Sequence, residues 1–161
     1  MPWPHSLTYI CGYIFLLLTP LQFSKKIRAK NIRFHRFSGW LVAASALIIG
    51  ITALVMSFKM AIGGAVETAA ATFTFALFFL FALCKALYYI RNKKILLHRE
   101  WMIRMFAIGL AIATVRPIVG LFFGFSSLSP HQFFGIAFWI GFTLHAILAE
   151  VYIRRYRYQP L

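Results

Sequence analysis

Five long apolar stretches alternate with short polar and basic segments along this chain of 161 residues. A bilayer core needs about 20 apolar residues in helical form, and every backbone group inside it must be paired within the helix. The pattern predicts an all-α fold, a polytopic membrane helix bundle that forms a single domain over residues 1–161. Its five transmembrane helices are expected at residues 7–23, 39–58, 65–90, 101–125 and 132–153.

Composition supports a membrane location. Hydrophobic residues make up 61% of the chain and charged residues only 12%, whereas about a quarter of a soluble domain is charged. The net charge of +14 would suit nucleic acid, but the cations occur in short runs between apolar stretches, as juxtamembrane loops do. We therefore expect contact with the lipid bilayer and no nucleic-acid binding. Cys11 and Cys84 lie inside apolar stretches and have no metal-ligand spacing.

The distribution of basic residues predicts the orientation. The second connection between the apolar stretches has only Lys59, and the fourth, residues 126–131, has no lysine or arginine. The other connections and the tail contain thirteen: Lys25, Lys26, Arg28, Lys30, Arg33, Arg36, Arg91, Lys93, Lys94, Arg99, Arg154, Arg155 and Arg157. Because cytoplasmic loops are enriched in lysine and arginine, the amino terminus is expected outside and the carboxyl terminus in the cytoplasm.

Ionisable residues within the spans are costly in lipid and usually face a partner or a cavity. Glu150 and Arg104 lie at similar depth, each about one turn inside the cytoplasmic end of its span, so they can pair if the last two helices are neighbours. The local alternative pairs each of them along its own helix, Glu150 with Arg154 and Glu100 with Arg104, both four residues apart.

Arg116 lies well within the fourth span, directly before Pro117. Proline bends a helix and frees a backbone carbonyl one turn earlier. The guanidinium can bind that carbonyl, pair with Glu67 or receive an anionic ligand. Alternatively it extends to the outer surface and has a structural role.

The histidines raise the question of haem b. His35 and His98 begin spans, and His145 alone lies in a span interior, so these three are the candidate ligands. His131 precedes His145 by fourteen residues, which is the spacing of two haem ligands on one helix, and His5 matches His131 in depth. His145 has a second histidine ligand at matching depth only if the fourth span places His98 about two turns deeper in the membrane. Otherwise His145 is a polar core residue bonded to a neighbouring helix.

Two short segments resemble a bacterial membrane-protein family, domain of unknown function 2306. They are residues 34–40, Phe-His-Arg-Phe-Ser-Gly-Trp, and residues 98–104, His-Arg-Glu-Trp-Met-Ile-Arg. The end of the first span, Thr19-Pro20-Leu21-Gln22-Phe23, is similar to the family's first helix. The resemblance covers nearly the whole chain and implies a bacterial inner membrane location. It also implies the positions of a site: His35, Arg36, His98, Arg99, Trp101, Arg104, Arg116 and Glu150. His145 stands where the family typically has an amide residue, which argues against haem ligation there.

Three functions are consistent with these residues, and they leave open whether the chain is an enzyme. The preferred hypothesis is a polar site at the cytoplasmic side that binds a small ligand or cofactor, with haem b or a quinone as its concrete forms. The second is a non-enzymatic subunit or scaffold whose basic loops bind anionic lipid headgroups or an acidic partner. The third is a transport component, which would need a homo-oligomer or a larger complex because the chain has no inverted repeat. No nucleophile–base arrangement, phosphate loop or zinc-binding motif is present.

Overall fold

The computed structural model describes residues 3–63, 65–125 and 130–157, and for residues 3–7, 25, 130–132 and 156 it describes the backbone alone. These residues form helices joined by short turns. The helices are α1 Trp3–Gln22, α2 Lys25–Lys30, α3 Ile32–Ile62, α4 Val66–Arg91, α5 Ile95–Phe125 and α6 Pro130–Arg157. The predicted all-α class is confirmed for this part of the chain.

Four of the helices are long and apolar enough to cross a membrane, within the residues described: Ile32–Ile62, Val66–Arg91, Ile95–Phe125 and Phe133–Arg155. The apolar part of α1, Thr8–Gln22, is shorter. Helix α5 begins six residues and α3 seven residues before the predicted span, because each helix continues through the polar residues that precede its apolar stretch, where hydropathy does not mark it. The short helix α2 was not predicted. Ser24 caps it by accepting a hydrogen bond from the Ile27 amide at 3.4 Å.

The chain divides into two compact units, Met1–Thr52 and Ala53–Leu161, here called unit 1 and unit 2. In unit 2, the helices α4, α5 and α6 all pack against one another. Small residues on α4 allow this close packing, since Ala69, Ala76, Ala82 and Ala86 are buried. Met105, Ala111 and Val115 of α5 and Phe133, Ala137 and Phe142 of α6 complete the buried core.

Unit 1 contains α1, α2 and the first part of α3. The end of α1 contacts the beginning of α3, where Gln22 Nε2 donates to Ser38 Oγ at 2.6 Å and Gln22 also lies against Gly39. Ser38 in turn donates to the Phe34 carbonyl at 2.7 Å. Both of the segments from unit 1 that resemble the family, residues 19–23 and 34–40, therefore meet here.

Candidate functional site

An ion-pair cluster joins α5 to α6 at the end of unit 2 where α4 finishes, α5 begins and α6 finishes; we call this the basic end. Arg104 donates from Nε to Glu150 Oε1 at 2.5 Å and from an Nη atom to Glu150 Oε2 at 3.1 Å. The predicted interhelical Glu150–Arg104 contact is therefore confirmed. Glu100 lies 4.0 Å from Arg104 and accepts two hydrogen bonds from Arg157, at 3.0 and 3.1 Å.

The surroundings of Arg104 explain why a charged residue is tolerated at this depth. Its guanidinium lies over the Trp101 ring, 4.6 Å from the ring centroid, and its side chain is only 16% exposed. A two-pronged contact with a carboxylate and a stacked ring both suit the planar guanidinium. Arg104 therefore contacts Glu150, Glu100 and Trp101, and its two hydrogen bonds to Glu150 join α5 to α6.

His98 lies on the other side of α5 and contacts α4. Its Nδ1 is 2.8 Å from the Ala86 carbonyl oxygen. Because a carbonyl can only accept, Nδ1 carries the proton and donates, and the neutral ring then has Nε2 as an acceptor. The contact fixes the orientation of the ring in the way that backbone carbonyls fix ligand histidines in proteins. Nε2 makes no hydrogen bond to the residues described, so it is the atom available to a ligand.

Three more side chains belong to the same contact of α4 with α5. Trp101, one turn further along α5, packs edge-to-face against Phe81 of α4 with ring centroids 5.4 Å apart. The Lys85 ammonium, one turn nearer the basic end, lies 5.5 Å from the centroid of the Phe81 ring. Lys85 directly precedes Ala86, whose carbonyl receives His98. We call Phe81, Lys85, His98 and Trp101 the His98 site: two polar side chains and two aromatic rings at the contact of α4 with α5.

The charges at the basic end do not balance. Glu100 and Glu150 pair with Arg104 and Arg157, whereas no carboxylate of the described residues lies within 4 Å of Lys85. An ammonium within a helix of this apolar character is costly unless an anion, an oxygen acceptor or water reaches it. Half-buried Lys85 and the 49% exposed Phe81 place part of the His98 site at the surface of unit 2.

His145 is a polar core residue. Its Nδ1 donates to the Gly141 carbonyl at 3.0 Å, and its Nε2 accepts from the Thr114 hydroxyl at 3.3 Å. Thr114 is sixteen residues from His98 on the same helix, which is about 24 Å along its axis. The arrangement in which α5 brings His98 to the depth of His145 is therefore wrong, and these two residues cannot bind one iron atom. The side chains of His5 and His131 lie outside those described.

The other residues predicted for the site do not lie together. Arg116 is exposed on α5, and within the described residues it does not pair with Glu67, which lies against Gly135 instead. That pairing was an open alternative in the sequence and is wrong. His35 is half-buried and Arg36 exposed near the start of α3, in unit 1. Arg99 is half-buried next to His98. The residues described contain no group of three or more histidine, cysteine or acidic side chains that could hold a metal ion.

Sequence reasoning missed Lys85, Phe81 and Thr114. The signal for Lys85 was available, since it is a lysine inside an apolar stretch, six residues before α4 ends. Phe81 and Thr114 had no such signal, because one phenylalanine among 18 and one hydroxyl in a span look like ordinary packing residues.

Comparison with protein families gives one model, described as predicted membrane protein (DUF2306), which matches residues 7–153. The chain belongs to this family. The match extends from α1 through nearly all of α6, so it includes both units and confirms the resemblance predicted from the sequence. Among curated proteins and among solved structures, nothing matches the DUF2306 chain.

Proposed function

We propose that this DUF2306 protein binds the polar headgroup of a membrane-dissolved amphiphile at the His98 site. The observation that supports it is the orientation of His98: the Ala86 carbonyl holds Nδ1 and leaves Nε2 as an acceptor. Lys85, which directly precedes Ala86, has no carboxylate partner among the described residues. A headgroup with a hydroxyl and a second oxygen satisfies both, because the hydroxyl donates to Nε2 and the oxygen accepts from Lys85.

A quinol is the most concrete ligand of this kind. Its ring suits the edge-to-face pair Phe81 and Trp101, its hydroxyl suits Nε2, and its isoprenoid tail suits the exposed apolar surface of α4. Glycerol-headed anionic lipids such as phosphatidylglycerol offer the same hydroxyl together with a phosphate for Lys85. The two sources differ in whether an aromatic headgroup is required, and experiment can separate them.

We propose that the protein is located in the bacterial inner membrane and that the chain crosses it five times, with α1 as the first span. The amino terminus is outside, and the basic end with the His98 site is at the cytoplasmic surface. The distribution of lysine and arginine supports this orientation. Oxygen ligands would then reach Lys85 at the level of the cytoplasmic headgroups, where its long stem can extend.

Haem b is a less favoured form of the same proposal. His98 has the orientation of a ligand histidine, but His145 lies about 24 Å further along the bundle and has both nitrogens engaged. Arg104 is already paired with Glu150, so it is a poor partner for a propionate. A coloured purified protein, with a Soret absorption band that shifts on reduction, would support haem b as the ligand.

Binding of two probes to delipidated protein in detergent tests the proposal. Native mass spectrometry with a decyl-tailed benzoquinol is expected to show retention that His98→Ala weakens about threefold to tenfold, the equivalent of one hydrogen bond. His145→Ala is the matched control and should leave retention unchanged. Equal retention by wild type and His98→Ala would contradict the proposal. With phosphatidylglycerol as the probe, loss of binding in Lys85→Gln and not in Trp101→Phe would identify a lipid phosphate as the ligand.

A second candidate is the non-enzymatic one, in which basic surfaces bind anionic lipid or an acidic partner. Exposed cations at the basic end favour it: Arg91, Lys93, Lys94, Arg154 and Arg155. Each contributes about 1 kcal/mol near an anionic surface. In the same experiment it predicts phosphatidylglycerol retention that falls when these loop cations are neutralised and is unchanged in His98→Ala. A homo-oligomer, a larger complex or a transport role remains a prediction.

A further inference from the structure

One carboxylate and one guanidinium of unit 2 have no ion pair among the residues described. The chain has three acidic residues; Glu100 and Glu150 make the ion pairs of the basic end, whereas Glu67 makes none in this part of the chain. Arg116 has no carboxylate of the described residues within 4 Å, and both side chains are exposed. Arg116 lies nine residues, or about 14 Å, before the end of α5, where an unpaired guanidinium is costly in lipid.

Glu67 and Arg116 lie at the same level of the α4–α5 hairpin. At the basic end, Lys85 directly precedes Ala86, whose carbonyl accepts from His98. Glu67 is eighteen residues before Lys85, and Arg116 is eighteen residues after His98. Eighteen residues make five turns of an α-helix, about 27 Å, and return a side chain to the same direction. Because α4 and α5 are antiparallel, both counts lead away from the basic end and finish at about the same level.

The contact of α4 with α5 does not extend to this level. Met105 of α5 is buried, whereas Phe123, eighteen residues later and in the same direction, is 61% exposed, and Ile112 between them is 44% exposed. Glu67 lies instead against α6, where a Cβ placed on Gly135 would stand 2.6 Å from the Glu67 Cβ and 2.9 Å from a carboxylate oxygen. The second half of α5 therefore has an exposed apolar face that includes one cation, and the nearest free carboxylate at its level is on α4.

We infer that two copies of the chain associate through the face that contains Glu67, Ile112, Arg116 and Phe123, with Arg116 of each copy paired with Glu67 of the other. Copies inserted in one membrane have the same orientation, so a two-fold axis between them is parallel to the membrane normal. Rotation about that axis keeps each residue at its level and exchanges the α4 and α5 sides of the facing surfaces. The pair therefore forms twice. This inference does not depend on the headgroup site.

Charge complementarity favours a second copy over an anionic lipid. A lipid phosphate would satisfy Arg116 but would be repelled by Glu67 at the same level, whereas a second copy supplies a partner for both charges. The planar guanidinium suits a two-pronged contact with a carboxylate. The exposed side chains of Ile112 and Phe123 then pack between the two copies instead of against lipid.

Energy transfer between copies labelled at the carboxyl terminus measures association in phosphatidylcholine vesicles. Arg116→Gln and Glu67→Gln should each weaken association about tenfold or more, because either substitution breaks both pairs. The double variant should be no weaker than the single ones, since nothing further is lost. Lys59→Gln, which removes an exposed cation from α3, is the matched control and should associate like the wild type. Because the pair joins two chains, unfolding of separated subunits in dilute detergent should not shift downwards in either variant, which shows that both variants fold.

Disulfide cross-linking tests the geometry after Cys11 and Cys84 are replaced by alanine. Co-expressed chains that carry different tags, one with Arg116→Cys and one with Glu67→Cys, should form a mixed cross-linked dimer, and one native pair still joins them. Leu121→Cys in place of Arg116→Cys is the matched control. Leu121 is 60% exposed but points about 140° away around α5, so it should give no cross-link.

Four results would overturn the inference. A wild type that stays monomeric at every protein-to-lipid ratio excludes the dimer, and association that Glu67→Gln leaves unchanged excludes the reciprocal pair. A double variant that loses as much as both single variants together shows that the two charges act separately. Association that requires phosphatidylglycerol, and that depends on Arg116 but not on Glu67, identifies a lipid phosphate as the partner of Arg116.

Discussion

Arg104 illustrates how a single charged side chain can be stable inside an apolar helix bundle. The chain has three acidic residues, and two of them, Glu100 and Glu150, lie beside Arg104. The pairing satisfies the guanidinium in a place where leaving it unpaired would be costly.

Glu150→Gln should therefore destabilise the protein. It removes the charge opposite Arg104 and weakens both hydrogen bonds, at a cost of about 1–3 kcal/mol. For a chain of this size that corresponds to a decrease of roughly 2–4 °C in the midpoint of thermal unfolding per kcal/mol. Unfolding of the detergent-solubilised protein measures it. Glu67→Gln is the matched control because Glu67 has no ion pair among the residues described, and it should have little effect. A decrease of the same size in both variants would contradict the role of the ion-pair cluster.

At the scale of the elements, α5 and α6 approach closely in the middle of unit 2. A Cβ placed on Gly141 of α6 would stand 2.6 Å from Val115 Cγ2 of α5. Real side chains do not pack at that distance, and a β-branched valine in a helix has few other rotamers. Gly141 therefore sets the separation of α5 and α6 at this point. One turn further along α6, His145 contacts Thr114 of α5.

Gly141→Ala is expected to destabilise the protein although alanine is the better helix former. Overpacking costs about 1–3 kcal/mol, against a gain of about 1 kcal/mol in helix propensity. In Gly120→Ala only the gain applies, because a Cβ at Gly120 meets nothing within 4 Å. The two substitutions should therefore shift the thermal midpoint in opposite directions. Equal shifts would show that α5 and α6 are further apart than the structure places them.

The elements were more predictable than the site. Within the residues described, hydropathy located the four helices that are long and apolar enough to cross a membrane and the shorter apolar helix α1, because lipid imposes one requirement on every spanning residue. The match of Arg104 with Glu150 followed from their depth. Hydropathy could not locate the first turns of α3 and α5, where His35 and His98 lie, because those turns are not marked by apolar residues. It also could not show that His145 faces Thr114, because helix rotation is fixed by packing of residues that look alike in sequence.

The orientation of the whole molecule can be tested with single cysteines after Cys11 and Cys84 are replaced by alanine. A cysteine at Lys94, in the turn between α4 and α5, is expected to react only with a reagent that enters the cell. Phe125→Cys, at the other end of α5, is expected to react with an impermeant maleimide added outside; this residue is 89% exposed. The reverse pattern would invert the proposed topology and place the His98 site on the outer side.

The 31 residues of α5 span about 46 Å, which is well beyond a hydrocarbon layer of about 30 Å. In the orientation that we propose, its first turns, with His98, lie at the boundary between lipid and water. A molecule diffusing within one leaflet can arrive there sideways, past the exposed ring of Phe81, without any opening of the bundle. Under the proposed function, occupancy of the His98 site then follows the mole fraction of that molecule in the leaflet, so a change in the lipid mixture of a reconstituted vesicle is expected to change occupancy even when the aqueous phase is unchanged.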